Sequence, residues 1–459
     1  MIETAARENL EFIFYSEAGE WHTSSTIYPP SKSCGYRHSS RCPSVRICLC
    51  VTACFICLIL AATLVALYIL DAFTHYRVKY SIMFDAGSTG SRMHIFQFQI
   101  CSNNEIRLAG ETYYTVSPGL SDYANNPHEA GMSLKPMLDK AKIAVPASEQ
   151  RSTPLVLKAT AGLRLLPNNA QNQILHEIQN TFSQYPFKSN NSSVSIMEGK
   201  DEGFYAWLMV VFTLGRKLRK NSIATLDLGG GSTQITFQPN DKTTLAKSEH
   251  LSYFKIPGGS EELMYVYSYL GGGLMYGRAE ILKQNITRKN GTHFYVTSPC
   301  IHPEVAKLPG GLYWKYFEAS FAIGPDDTDR CGFEACYLLA KKYVDRLNMF
   351  APQELPSREL YLMSYYFYRA ANADLIQKGV ETQKDLAVSD YRERAISECA
   401  SSSTRPKEDT FLCIDLTYIY ALLHEGLKLP DNTKITVAQK LRGSEVSWAF
   451  GAALSELEL

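Results

Sequence analysis

Two stretches constrain this chain more than any other: Asp85-Ala86-Gly87-Ser88-Thr89-Gly90-Ser91-Arg92 and Asp227-Leu228-Gly229-Gly230-Gly231-Ser232-Thr233-Gln234. Each follows an apolar, strand-like run (Tyr80 to Phe84; Ile223 to Leu226) and leads into another (Met93 to Ile100; Ile235 to Phe237). The repeated unit is therefore strand, small-residue turn, strand. Glycine lets a backbone approach an anion and turns successive N–H groups toward it. Hydroxyls add donors, and the Asp heading each turn can hold a hydrated divalent cation beside bound phosphate. No Lys follows the glycines, so neither copy is a Walker loop, and neither opens a helix as a dinucleotide fingerprint does. One Gly/Ser turn is ordinarily only a tight hairpin; a pair headed by Asp predicts two jaws.

The expected fold class is α/β, a two-lobed actin-like or RNase H-like architecture of the sugar kinase/actin type, with phosphate held between the lobes. Apolar spacing predicts a strand over 154–160 and helices over 170–182, 202–218, 338–348 and 415–425. The expected division is a disordered cytosolic tail over 1–44 and a transmembrane anchor over 45–71. Lobe I is then 80–198 with 436–459, and lobe II is 199–435, because so long a chain exceeds what one hydrophobic core supports.

The anchor rests on the stretch Ile47 to Leu70, which carries no charged residue and ends at Asp71. A helix needs about 20 apolar residues to cross the hydrocarbon core. Lys32, Arg37, Arg41 and Arg46 precede it with no acidic residue among them, which predicts a cytosolic N-terminus and a lumenal C-terminal part. The formal net charge is +0, so nothing favours nucleic acid as a partner. Beyond the span lie Cys101, Cys300, Cys331, Cys336, Cys399 and Cys413, on the oxidising side. Cys399 with Cys413 brackets a polar loop and is the first expected disulfide; Cys300 with Cys336 is the second. Cys101 and Cys331 stay unassigned. Asn190, Asn191, Asn285 and Asn290 head glycosylation sequons on the same side.

Between the hairpins, Lys158 to Arg164 ends a strand in small residues, where Thr160 could face a metal-bound water. Next, Glu198-Gly199-Lys200-Asp201-Glu202-Gly203 opens an amphipathic stretch. Carboxylates at a helix start are ordinarily capping and dipole residues, but a phosphate site that hydrolyses needs a base for water. Glu202 is the best-placed candidate.

The two hairpins resemble the first and fourth apyrase conserved regions of the ecto-nucleoside triphosphate diphosphohydrolases. Ala159 to Arg164, Asp201-Glu202-Gly203 with Trp207, and Ser444 to Ala449 resemble the second, third and fifth. The single anchor, the stretch Ser364-Tyr365-Tyr366 and the Cys399/Cys413 loop are similar to the endoplasmic reticulum and Golgi nucleoside diphosphatases. The resemblance implies that Glu202 is the catalytic base and that Asp85 and Asp227 position Ca²⁺ or Mg²⁺ through its water shell, with Thr160 and Trp448 near the ion. It implies phosphate cradles from Ser88 and Ser232 with the amides of Thr89, Gly90, Gly230, Gly231 and Thr233. Arg92 and Arg164 are either local salt bridges or phosphate contacts. Tyr368 and Tyr418 are the expected stacking faces for the base. The implied activity is hydrolysis of UDP and GDP to the monophosphate and phosphate. The other readings are a broad-specificity apyrase, a sugar-kinase-like protein, and a non-catalytic nucleotide-binding glycoprotein.

Overall fold

The computed structural model describes residues 45–459 apart from 75, 102–104, 216–222, 257–260, 307–310, 325–331, 402–409 and 458–459. The tail expected over 1–44 and Cys331 lie outside the described residues.

The described residues up to 72 and those from 73 onward fall into two compact units. One helix runs Val45–Thr74, across that division. Its side chains are described from 54 to 68 and are all exposed. Among the described residues no helix is long and apolar enough to cross a membrane; the remainder of the span expected over 45–71 lies outside the described side chains.

The second unit opens with strands β1 (Tyr76–Ala86), β2 (Ser91–Cys101), β3 (Ile106–Val116), β4 (Leu155–Ala159) and β5 (Val194–Ile196). They form one sheet in the order β3-β2-β1-β4-β5, antiparallel on one side of β1 and parallel on the other. The helices Pro127–Ala144 and Asn168–Phe182 bury Leu134, Leu138, Ile174 and Ile178 against Ile82, Phe84 and Leu157 of this sheet.

The chain then makes β6 (Ile223–Leu228), β7 (Ser232–Phe237), β8 (Leu251–Lys255) and β9 (Glu261–Leu270). It leaves for a small sheet of β10 (Ile286–Asn290), β11 (His293–Thr297), β12 (Leu312–Tyr316) and β13 (Ala319–Gly324), then returns as β14 (Glu359–Ser364), β15 (Gln383–Ala387) and β16 (Lys434–Ala438). The second large sheet is ordered β15-β16-β14-β6-β7-β9-β8. Without its edge strands it reads β9-β7-β6-β14-β16, with the same antiparallel and parallel halves as the first. The hairpin duplication is thus a duplication of a whole sheet. β6 and β7 are buried along their full length, which is why β6 opens as an apolar run rather than an alternating one. The lobe boundary expected between 435 and 436 falls inside β16, a strand of the second sheet.

Two helices from distant parts of the sequence share one core. Gly199–Leu214 buries Phe204, Trp207, Met209 and Val210, and Trp448–Ser455 buries Phe450, Ala452 and Leu454. Phe450 meets Phe96 edge-on at 5.5 Å, which ties the C-terminal helix to β2. The first helix ends at Gly215, whose φ of 63° is a left-handed cap. The second is capped by Ser447, whose Oγ accepts from the Ala449 amide.

Both expected disulfides form: Cys300–Cys336 and Cys399–Cys413. Cys101 is a half-buried free thiol. Among the sequon residues, Asn290 is exposed at the β10–β11 turn beside Gly291 (φ 57°), Asn191 is exposed, and Asn285 is half-buried. Asn190 is committed locally, since its Oδ1 accepts from the Ser192 amide at 2.8 Å and the Ser192 hydroxyl at 2.7 Å.

Candidate active site

The two hairpins meet at a cleft of roughly 380 Å³. Their strand registers superimpose the repeats: Asp85 lies opposite Arg92 in the first and Asp227 opposite Gln234 in the second. The turns approach so closely that a Cβ on Gly230 would stand 2.2 Å from Ser88 Oγ and would push that hydroxyl aside. Tyr316, the last residue of β12, reaches the same point and donates its hydroxyl to the Gly230 carbonyl at 3.4 Å.

Of the expected residues, Asp85, Ser88, Thr89, Thr160, Glu202 and Asp227 line the cleft, as do Gly230, Gly231, Ser232, Trp448 and Tyr368. Three do not. Gly90 closes its turn, accepting from the Gly87 amide at 3.0 Å, and faces Val116. Thr233 is held within the sheet between Leu228 and Tyr269, its hydroxyl donating to the Asp227 carbonyl at 2.8 Å. Tyr418 is fully buried, so it cannot stack on a base. The helix Leu412–Ala421 that carries it is enclosed on every face, and its hydroxyl donates to the Gly272 carbonyl at 3.0 Å. Tyr365 lies on the cleft wall with Tyr368 and Phe367.

Glu202 sits in the first turn of the helix Gly199–Leu214 and is almost wholly buried. Arg164 donates to its Oε2, and the Gln234 amide nitrogen donates to the same oxygen at 3.1 Å. That nitrogen also lies 2.7 Å from Ser232 Oγ and 2.9 Å from Ser268 Oγ. Arg92 is 3.2 Å from Asp85. Both arginines are therefore partners of site carboxylates. Gln234 and Ser268 were assigned no role from the sequence. The signal for Gln234 was its place in the repeat, opposite the Asp where the first copy has Arg92.

Burial pushes the Glu202 carboxyl up to about 7; the Arg164 guanidinium opposes this, while Asp227 and Asp85 add to it. Burial likewise raises Asp227 to about 6, against a hydrogen bond from Ser364. It raises Asp85 against the pull of Arg92. Ser364 reaches Asp227 from the end of β14 with a φ of 61°, a left-handed conformation rare for serine.

The arrangement fits a divalent cation. Asp85 and Asp227 are buried carboxylates whose proton affinity is raised first by burial, with Asp85 adding to the rise at Asp227, and Asp227 Oδ1 is buried with no hydrogen-bond partner. Among the described residues no group of three or more His, Cys, Asp or Glu side chains could enclose a metal. Two carboxylates supply only part of a shell, which suits an ion that keeps waters and takes phosphate oxygens.

The linkage sign follows from the raised values. Glu202 and Asp227 hold protons in the folded chain that the unfolded chain, at 4.5 and 3.8, has released. Stability of the cation-free protein is therefore expected to fall as pH rises from about 4 to about 7. The ascending limb of kcat/KM should follow Glu202 ionisation near 7, and Arg164→Gln should move it upward. Urea titrations of chelated protein and pH–rate profiles check both; a limb that stays put in Arg164→Gln would remove Glu202 from the rate.

Two copies of one sheet with an Asp-led hairpin on each side of a cleft, and a buried carboxylate between them, define an actin-like hydrolase of phosphorylated substrates. A solved structure described as nucleoside triphosphate hydrolases from Neospora caninum shares the fold, with a TM-score of 0.54 at 13% identity over 86% of this chain and 95% of that one. Residues 72–459 match the GDA1/CD39 (nucleoside phosphatase) family, and the chain belongs to it. It is 38% identical to ectonucleoside triphosphate diphosphohydrolase 5 of Gallus gallus over 388 residues, 83% of this chain and 87% of the relative. It is 36% identical to the Homo sapiens nucleoside diphosphate phosphatase ENTPD5 over 386 residues, with the same coverage. To ectonucleoside triphosphate diphosphohydrolase 6 of Mus musculus it is 37% identical over 381 residues, 82% of this chain and 81% of that one.

Proposed function

We propose that this nucleoside phosphatase is a metal-dependent nucleoside diphosphatase that converts UDP and GDP to the monophosphate and phosphate. The observation that carries the reading is Glu202: a buried carboxylate poised near neutrality, oriented by Arg164 and Gln234, beside two phosphate hairpins. In that setting it accepts the proton of a water attacking the terminal phosphorus, while Gln234 and Ser232 fix where that water sits. Ser88 and the Gly230–Ser232 turn hold the phosphate oxygens. Asp85 and Asp227 would hold a hydrated Ca²⁺ or Mg²⁺ ion, which would supply charge neutralisation on those oxygens. The name of the human relative, a nucleoside diphosphate phosphatase, supports diphosphate over triphosphate.

For location, the charge-free run within the helix Val45–Thr74, the basic residues before it, the two disulfides and the exposed sequons support a type II membrane protein with a lumenal catalytic part. In the Golgi or endoplasmic reticulum, removal of UDP would relieve product inhibition of sugar transfer and so support glycosylation.

The test is phosphate release by the detergent-solubilised chain from UDP, GDP, ADP, CDP, UTP and ATP, with Ca²⁺, Mg²⁺ or chelator. Cation-dependent turnover led by UDP and GDP is expected. Equal rates on triphosphates would favour a general apyrase, and no turnover by folded protein would favour a binding protein.

A further inference from the structure

Ser88 stands where the two phosphate turns meet, and its backbone is fenced in: a Cβ on Gly162 would lie 2.8 Å from Ser88 Cα, and one on Gly119 would lie 2.7 Å from its carbonyl oxygen. What stays free is the rotation of the Ser88 hydroxyl. Tyr316 is placed to set that rotation. It ends a strand of the small sheet, is 8% exposed and is not among the residues that line the cleft, so it reaches the turns from behind. Its hydroxyl is within hydrogen-bond reach of the Ser88 side chain and lies 3.4 Å from the Gly230 carbonyl oxygen.

That carbonyl already has its donors. It accepts from the Met275 and Tyr276 amides, both at 3.0 Å, in the first turn of the helix Leu274–Leu282, and a carbonyl oxygen has two lone pairs. The contact from Tyr316 is a long third one, which leaves the phenol proton better placed on Ser88 Oγ. The ring that carries it is fixed, stacked on Trp314 with centres 5.8 Å apart and planes 2° apart, and met edge-on by Phe317 at 4.5 Å. Trp314 in turn lies 4.9 Å from the guanidinium of Arg278, which grips the fully buried Asp415 at 2.9 and 2.6 Å. Burial strengthens the phenol's hold on its proton, against the hydrogen bond from Ser88, so Tyr316 stays a donor at neutral pH.

The direction of the bond follows from counting protons. Phosphate oxygens accept, and a serine hydroxyl has one proton to give. When Ser88 gives that proton to phosphate, its oxygen can only accept from Tyr316.

We propose that Tyr316 is a positioning residue of the phosphate site, donating its hydroxyl to Ser88 Oγ and so aiming the Ser88 proton at a phosphoryl oxygen. The proposal rests on the phosphatase reading of the cleft and deepens it. The ligand chemistry is a tetrahedral phosphate, carried on a nucleotide or free.

The test uses the full chain in detergent, with inorganic phosphate binding by calorimetry beside steady-state hydrolysis of UDP and its inhibition by uridine. Tyr316→Phe keeps the ring and removes only the hydroxyl. It is expected to weaken inorganic phosphate binding and to lower kcat/KM for UDP by about tenfold each, the worth of one hydrogen bond to a charged group. Uridine, which has no phosphate, should inhibit as in wild type, and the urea midpoint should stay in place. In a Ser88→Ala background, where no hydroxyl is left to aim, Tyr316→Phe should cost less than about twofold more. Unchanged phosphate affinity in a folded Tyr316→Phe overturns the assignment, as does the same loss on top of Ser88→Ala or an equal loss of uridine inhibition. If Tyr316→Phe does not fold, 3-fluorotyrosine placed at position 316, a stronger donor of nearly the same shape, decides: phosphate affinity should rise, and an unchanged or lower affinity overturns the assignment too. Phosphate binding needs no turnover. A wild-type chain whose phosphate affinity depends on Tyr316 and Ser88 but which never hydrolyses UDP sinks the enzymatic reading and leaves this one standing.

Discussion

Glu202→Gln is expected to lower kcat for nucleotide hydrolysis by roughly 10³-fold while leaving KM within a few-fold. The amide keeps the shape of the carboxyl and an oxygen for Arg164 and Gln234, so the water site and the hairpins should stay in place. What it loses is the ability to take a proton at neutral pH. Because the wild-type carboxyl is largely protonated on the acid side of about 7, folding stability at pH 6 should match wild type. Steady-state kinetics beside urea unfolding distinguishes the outcomes. Loss of turnover together with loss of folding would make Glu202 a structural residue, and retained turnover would put the base elsewhere.

Gly451→Ala is expected to destabilise the second unit by roughly 3 kcal/mol, the upper end for overpacking. A Cβ at 451 would lie 2.2 Å from the Tyr205 carbonyl oxygen and 2.8 Å from its carbon, backbone atoms that cannot rotate away. The contact holds together the helices Gly199–Leu214 and Trp448–Ser455, whose shared core also carries Phe96 and Met83 of the first sheet. Since Glu202 lies on the first of these helices and Trp448 begins the second, the same change should also weaken activity in the fraction that stays folded. A fall in the urea midpoint without a change in slope is the expected reading. An unchanged midpoint would show that the helices slide apart at little cost.

The hairpins were legible because each is local: turn glycines, flanking apolar runs and a heading Asp lie within a dozen residues. The paired cysteines were legible for a related reason, since 399 and 413 bracket one loop. The burial of Tyr418 was not. Its neighbours in sequence are as aromatic and apolar as those of Tyr368, but its helix is packed on all sides while the helix Tyr365–Asn372 keeps one face on the cleft. Gly90 and Thr233 belong to the motif yet are not among the residues that line the cleft, since one closes its turn and the other sits in the ladder.

By itself the sequence determined the chemistry available to this protein: two Asp-led phosphate turns, a carboxylate at a helix start, and strands and helices enough for two lobes. Those features follow from backbone preference and side-chain type, which act over a few residues. The tertiary structure decided which groups meet. Glu202 acquires its raised pKa from burial, and its partners are 38 residues before it and 32 after. Asp415, fully buried, is gripped by Arg278, 137 residues before it, and is also met by Arg369. Desolvation and pairing at such separations depend on the closed core, because only there is water removed and the dielectric low enough for a neighbouring charge to set a residue's role.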